Sequence, residues 1–273
     1  MALVAVGQLT STASMAHNLA QCRVLVQKAV RAGAKALFLP EASDYIAASA
    51  DETVRLVRAV HDSEFVLGLR DEARRARLPI HVGVHEPGCR DDGLRRVRNT
   101  VLWIDDRGDV AHRYQKIHLF DVDIKDGPVL KESNSVEPGS EILPPFDTPL
   151  GKVASTICFD LRFPEIAISL RRQGADIITY PSAFTVPTGK AHWEILLRAR
   201  AIETQSYVIA AAQVGRHNEK RVSYGHSMIV DPWGVVLADL GDSGAAEPEI
   251  ATAEIDHDML RKVRTEMPLN RRT

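Results

Sequence analysis

Gly151-Lys-Val-Ala-Ser-Thr-Ile-Cys158-Phe-Asp-Leu-Arg-Phe-Pro-Glu165 is the stretch around which the chain is organised. A turn glycine opens it. The β-branched and apolar run through Val153, Thr156 and Ile157 predicts a buried strand that stops at Cys158. Pro164 stands where a helix begins, with Glu165 in the first turn. A strand that turns into a helix at a cysteine places the thiol at a strand end, beside the positive end of a helix. That environment lowers a thiol pKa and makes a nucleophile. Read alone, the same residue fits a small buried core hydrophobe equally well, as most free cysteines do.

Outward from this stretch, strand and helix patterns alternate. Upstream, residues 3–8 read as a strand and 18–32 as a helix that buries Cys22 on its apolar stripe and ends at Gly33. Residues 34–39 read as a strand cut by Pro40, and Glu41 follows at once. Residues 51–76 read as one or two helices, 80–84 as a strand in which His81 is an ordinary strand residue, and 88–96 as a polar loop. A hairpin over 100–104 and 110–117 delivers Lys116 at its end. A punctuated loop, 120–145, with a turn at Asp126-Gly-Pro, carries Glu132; loops of this length inside compact domains are often functional. Downstream, the pattern predicts a helix over 163–173, a strand over 175–180, a loop over 182–190 and a helix over 192–204. A strand over 207–214, a hairpin over 227–238 and a last strand over 250–255 follow, with Asp256 capping a short terminal helix. There is no fixed-period repeat, low-complexity segment or linker. The expectation is one α/β domain, 1–273, with sheets covered by helices.

Composition narrows the function classes. The 273 residues are 45% hydrophobic and 26% charged, which gives ample core, and the formal net charge is -2. No basic excess points to nucleic acid and no polybasic block to a membrane surface. Three scattered cysteines, Cys22, Cys89 and Cys158, form neither a disulfide framework nor a CxxC metal pair. The apolar start is too short for a span or a signal. The expectation is a soluble cytoplasmic protein; a longer mitochondrial isoform with a transit peptide is compatible with this reading.

Glu41, Lys116 and Cys158 each stand just past a strand end, where sites gather in open α/β sheets. A thiol needs a base, and Glu41 can take its proton. A tetrahedral intermediate needs a positive donor, which Lys116 supplies, and the Phe159 backbone N–H adds a second. Glu132 can orient Lys116 or assist the water and leaving group. One ammonium with two carboxylates lies near charge balance, which reduces the cost of burial. The set spells hydrolysis of a carbonyl–nitrogen bond through a thioester.

Leu39-Pro-Glu41, Tyr114-Gln-Lys116-Ile-His118-Leu119 and Cys158-Phe-Asp-Leu-Arg-Phe-Pro-Glu165 closely resemble the three signature blocks of the nitrilase superfamily of carbon–nitrogen hydrolases. The likeness runs from the first strand through Asp231-Pro-Trp-Gly234. It implies a Glu41–Lys116–Cys158 triad and a second glutamate, best matched by Glu132 and less well by Glu137. It also implies a four-layer αββα sandwich that usually forms a homodimer, and no metal or organic cofactor. The text Tyr180-Pro-Ser-Ala-Phe184, Ala191-His-Trp-Glu194 and Ser223-Tyr-Gly-His-Ser227 is similar to amidases of the Nit branch. The run 210–220 resembles that of deaminated glutathione amidases, which release 2-oxoglutarate and leave cysteinylglycine. Phe159 departs from the Tyr that relatives often carry and removes one hydroxyl near the site.

For a small-molecule amide substrate with carboxylates, the resemblance puts Arg162 at the 2-oxoacid end, where a bidentate guanidinium suits the group. A structural ion pair with Glu165 or Asp160 is the alternative. Thr188 can donate to the same carboxylate, and Phe184 can wall the pocket or pack in the core. Arg216 and Lys220 offer charge for a glycine carboxylate. The competing readings are an ω-amidase acting on 2-oxoglutaramate, another small-amide or carbamoyl hydrolase, and a non-catalytic scaffold on the same fold.

Overall fold

Along β1 (Ala2–Gln8), Val4 and Val6 join one apolar cluster and Ala5 another, all fully buried. Successive strand residues face opposite ways, so this strand is covered on both faces. The computed structural model describes residues 1–89, 95–123 and 129–270. The chain continues through α1 (Met15–Ala32), β2 (Leu37–Phe38), α2 (Ala50–Leu56), α3 (Glu64–Ala76), β3 (Ile80–Pro87), β4 (Val97–Ile104), β5 (Val110–Gln115), β6 (Asp121–Asp123) and β7 (Val129–Lys131). It then forms β8 (Phe146–Thr148), β9 (Gly151–Ser155), α4 (Pro164–Arg172), β10 (Ile177–Thr179), α5 (Val186–Thr204) and β11 (Tyr207–Ala210). The last elements are β12 (Val214–Arg216), β13 (Val222–Tyr224), β14 (Met228–Val230), β15 (Val236–Asp239), β16 (Glu249–Ile255) and α6 (His257–Glu266).

Two six-stranded sheets result, in the orders β16-β1-β2-β3-β4-β5 and β15-β14-β11-β10-β9-β8. Each has three parallel strands at its centre, β1 to β3 in one and β9 to β11 in the other, flanked by antiparallel neighbours. Leu25 of α1 and Phe65 and Leu69 of α3 pack on the outer face of the first sheet. Ile166 and Leu170 of α4 and Leu197 of α5 cover the outer face of the second. Between the sheets lie Val4, Val6, Phe38, Val153, Ile177 and Ile209. Full burial of each such side chain contributes roughly 1.5–3 kcal/mol. The order of layers is therefore α, β, β, α, the expected sandwich. One polar link crosses its centre: His81 Nε2 meets Thr179 Oγ1 at 3.2 Å and Ser155 Oγ at 3.3 Å. Burial pushes the His81 pKa down to about 3, so the ring is neutral there.

Several boundaries depart from expectation. The strand predicted to reach Cys158 ends at Ser155, and Cys158–Arg162 forms a 3-10 turn. The cause is local: Asp160 Oδ2 accepts the Ile157 N–H at 3.0 Å and bends the chain out of the sheet. The loop predicted over 182–190 gives way at Val186 to α5, whose Pro187 is a helix-start residue. Residues 207–214 are not one strand; β11 stops at Ala210, and β12 pairs with β13 in a separate ribbon. Residues 51–76 resolve into α2 and α3, and Asp256 caps α6 by accepting the Asp258 N–H at 2.8 Å. The Asp126-Gly-Pro turn and residues 90–94 of the polar loop lie outside the described residues. Among the described residues no helix is long and apolar enough to cross a membrane.

Candidate active site

Glu41 follows β2 and Pro40 on a backbone pressed flat against β3. A Cβ on Gly83 would lie 2.5 Å from Glu41 Cα and 2.8 Å from the Pro40 carbonyl oxygen, so only glycine admits this approach. The next residue, Ala42, takes φ 53°, a conformation L side chains rarely adopt. Lys116 stands one residue past β5. Its N–H donates to the Asn99 carbonyl at 2.9 Å, and its own carbonyl accepts from Gly139 at 2.8 Å. The Lys116 side chain is 2% exposed, and its Nζ donates to Glu41 Oε1 at 2.9 Å and to Glu132 Oε2 at 2.9 Å. Glu132 opens a short 3-10 turn after β7 and is fixed by the Phe120 N–H, 2.7 Å from Oε2. Glu137, the other candidate, turns instead to Cys89, accepting from its N–H at 3.0 Å and its thiol at 3.4 Å.

Cys158 also has a left-handed backbone, φ 46°, and its N–H donates to the Pro181 carbonyl at 3.0 Å. Strain at a buried cysteine beside a charged cluster is the kind of backbone that functional sites retain. Cys158 and Glu41 line the same cavity, and the Glu41 charge acts on the thiol. Asp160 locks the nucleophile turn to the lysine segment. It accepts from Tyr114 Oη at 2.8 Å, from the His118 N–H at 3.0 Å and from the Ile157 N–H at 3.0 Å. With those oxygens committed, the alternative ion pair between Arg162 and Asp160 is absent.

Charge sets the resting state. Burial works to raise the Glu41 pKa, but the Lys116 ammonium, by charge and hydrogen bond, overrides it and holds the carboxyl below its ordinary range; Arg221 adds to this. Burial disfavours the charged form of Lys116, yet Glu132 and Glu41 hold its pKa well above the usual value. Burial, then the charge of Glu41, push the Cys158 thiol up, and Lys116 only partly offsets them. The expectation that a helix end would lower this pKa is therefore corrected. The thiol rests protonated, with an ionised carboxylate beside it to receive the proton as the sulfur attacks.

Around the triad is a cavity of about 600 Å³ whose lining includes Glu41, Lys116, Glu132 and Cys158. Arg162, Thr188, Phe159 and Phe184 also line it. The Arg162 guanidinium lies 5.6 Å from the Phe159 ring centre and 5.8 Å from that of Phe184, and its Nη2 meets His192 Nδ1 at 3.2 Å. Among the described residues no carboxylate lies within 4.0 Å of its nitrogens, so Glu165 is not its partner either. Thr188 sits in the first turn of α5, its hydroxyl 2.8 Å from that of Thr185. Phe184 does both things expected of it, walling the cavity and packing on Trp193 at 4.7 Å between ring centres. Lys220 lines the cavity, whereas Arg216 does not; Arg216 donates to the Glu219 carbonyl at 3.4 Å.

Sequence reasoning missed three contributors. Asn99 is 3% exposed, and its Nδ2 donates to Glu41 Oε1 at 2.7 Å and to Glu132 Oε1 at 3.1 Å. The Ala183 N–H donates to Glu41 Oε2 at 2.9 Å. Arg221 lines the cavity beside Lys220. Asn99 stands between Arg98 and Thr100, ahead of the apolar run 101–104, so no break in the pattern of β4 singles it out; nothing local marks Ala183 either, whose backbone alone contributes.

The arrangement can generate a sulfur nucleophile, receive its proton and place positive charge where an oxyanion forms. The N–H of Phe159, second residue of the 3-10 turn, has no acceptor within that turn. Among the described residues no group of three or more His, Cys, Asp or Glu is placed to hold a metal ion.

A family model described as carbon–nitrogen hydrolase matches residues 3–265. The chain is 52% identical over 273 residues to the "Probable hydrolase nit2" of Schizosaccharomyces pombe, covering 100% of this chain and 98% of that protein. It is 45% identical over 268 residues to the "Deaminated glutathione amidase" of Rattus norvegicus, covering 98% of this chain and 80% of the relative. Among solved structures, the NitFhit protein of C. elegans superposes with a TM-score of 0.90 at 39% identity, over 99% of this chain and 65% of that one.

Proposed function

This chain belongs to the carbon–nitrogen hydrolase family, and from that premise we propose that it cleaves the amide of deaminated glutathione through a thioester on Cys158. The observation that carries the reading is the Lys116 ammonium held between Glu41 and Glu132 beside a buried thiol. In the first step the Cys158 sulfur attacks the amide carbon while Glu41 takes the thiol proton. Lys116 and the Phe159 N–H hold the oxyanion. Collapse of the intermediate breaks the carbon–nitrogen bond, and the amine leaves as cysteinylglycine with the proton returned by Glu41. Water then adds to the 2-oxoglutaryl thioester, giving its proton to the Glu41–Glu132 pair, and 2-oxoglutarate and the free thiol are released. Arg162 meets the 2-oxoacid carboxylate, with Thr188 as a further donor and Phe159 and Phe184 as walls.

Measuring kcat/KM for deaminated glutathione and 2-oxoglutaramate side by side, with Cys158→Ala as the blank, tests the assignment. Preference for the peptide, with 2-oxoglutarate and cysteinylglycine formed one to one, is the expected result. Preference for the oxoamide would keep the mechanism and transfer the chain to the ω-amidases.

The proposal extends to assembly as a homodimer through α5. Ile195 and Ile202 are seven residues apart on one helical face and are 69% and 43% exposed; Trp233, in the turn beside Ile202, is 56% exposed. Sedimentation of Ile195→Asp should give a lighter species than the parent. The three unpaired thiols fit a reducing compartment such as the cytoplasm.

A further inference from the structure

The cavity carries more positive charge than the triad and one carboxylate require. Lys116 is matched by Glu41 and Glu132. Four other cations line the space, Lys131, Arg162, Lys220 and Arg221, and among the described residues no other acidic side chain does. Among the described residues none of the four lies within 4.0 Å of a carboxylate. They fall on different walls. Arg162 sits on the nucleophile turn among Phe159, Phe184 and His192. Lys220 and Arg221 sit on the turn that joins β12 to β13.

That turn is built as a rigid mount. The His217 N–H donates to the Arg221 carbonyl at 3.0 Å. Asn218 Oδ1 accepts the N–H groups of Lys220 at 3.0 Å and Arg221 at 3.1 Å. Asn218 Nδ2 reaches across to the Ala47 carbonyl at 3.3 Å, in the segment before α2 that also lines the cavity. The His217 ring is pinned between the Ser11 carbonyl at 2.8 Å and Ser223 Oγ at 2.7 Å. Two cationic side chains thus project from a hydrogen-bonded backbone, so little backbone freedom is lost when an anion binds them. The Arg221 charge also reaches the centre of the site, where it is felt at Glu41.

We propose that Lys220 and Arg221 form a second carboxylate subsite, which holds the terminal carboxylate of a peptide-like leaving group and selects such amides over small one-carboxylate oxoamides. The inference rests on the amidase reading above and deepens it. The Cys158 side of the cavity needs one cation for the acyl end. The second cationic wall has work only if the leaving group is itself anionic, as cysteinylglycine is and ammonia is not.

The test compares parent and Lys220→Gln/Arg221→Gln on deaminated glutathione, on its C-terminal carboxamide and on 2-oxoglutaramate. A charge-assisted contact to one carboxylate supports a preference of about tenfold to a hundredfold. The parent should therefore favour the free acid over the carboxamide by at least about tenfold, mainly in KM. In the double variant that ratio should fall to about one, whatever happens to the absolute rates. A parent that turns over acid and carboxamide equally, or a ratio that survives both substitutions, overturns the subsite while leaving the amidase reading intact. A parent inert toward all three compounds overturns both.

Discussion

Asn99 Nδ2 lies 2.7 Å from Glu41 Oε1, and the same nitrogen reaches Glu132 Oε1 at 3.1 Å. One neutral amide therefore ties together the two carboxylates that flank Lys116. Its orientation follows from the chemistry, because the opposite flip would turn a carbonyl oxygen on two anions. Hydrogen bonds to an ionised carboxylate favour that form. Asn99→Leu should therefore raise the pKa of Glu41 and move the acid limb of kcat/KM to higher pH, with reduced kcat. A pH profile that keeps its midpoint while kcat falls would make Asn99 a packing residue only.

Replacing Lys116 with Met removes the proposed oxyanion cation and leaves the buried Glu41 carboxylate and the half-buried Glu132 carboxylate without the ammonium between them. Activity should fall on the order of 10² to 10³ from the lost donor alone. Breaking a buried pair costs roughly 3–5 kcal/mol of stability. The unpaired carboxyls will take up a proton more readily in the folded protein than in the unfolded chain. The loss in Tm should therefore be smaller at pH 5 than at pH 8. An activity loss below about tenfold would contradict the oxyanion role.

Arg162→Lys keeps the charge but loses the planar fork. Amides with a 2-oxoacid end should lose more kcat/KM than simple aliphatic amides. Equal losses for the two classes would make Arg162 a support for the Phe159 and Phe184 rings and no more.

Acid should weaken the fold through two buried imidazoles. Burial pushes His81 down to about 3; burial and then Arg221 push His217 down to about 4, partly offset by the Ser11 carbonyl. The unfolded chain binds protons at both near pH 6.5, which the folded chain refuses until far lower pH. Stability therefore rises with pH between these limits and falls on acidification, by up to about 1.4 kcal/mol per pH unit for each ring. Urea titrations of His81→Gln should show a shallower decline from pH 6.5 to 4 than the parent. An unchanged slope would remove His81 from the account.

The alternation of strands and helices was legible because periodicity repeats and because Pro40, Gly33 and Pro164 punctuate it; the four-layer order came from the resemblance of the signature blocks. That Glu41, Lys116 and Cys158 would share one cavity was legible for a related reason, since each follows a strand end. What escaped notice depends on contacts far apart in sequence. Asp160 bends the chain before Cys158, so the strand stops early and the thiol meets Glu41 rather than a helix end. Its high pKa follows from that burial, which no local pattern reports. Val214, the first residue of β12, was read as the end of one strand over 207–214; Gly215, at φ 75°, marks where the chain changes direction. Arg216 and Lys220 looked equivalent by charge, and the turn geometry separates them.

A thioester mechanism passes through a covalent intermediate on Cys158. Mass spectrometry of enzyme quenched during turnover of deaminated glutathione should show a 2-oxoglutaryl adduct on the proteolytic fragment that contains Cys158, with Cys158→Ala folded, adduct-free and inactive. Continued turnover by Cys158→Ala, or an adduct carried by a different residue, would contradict it.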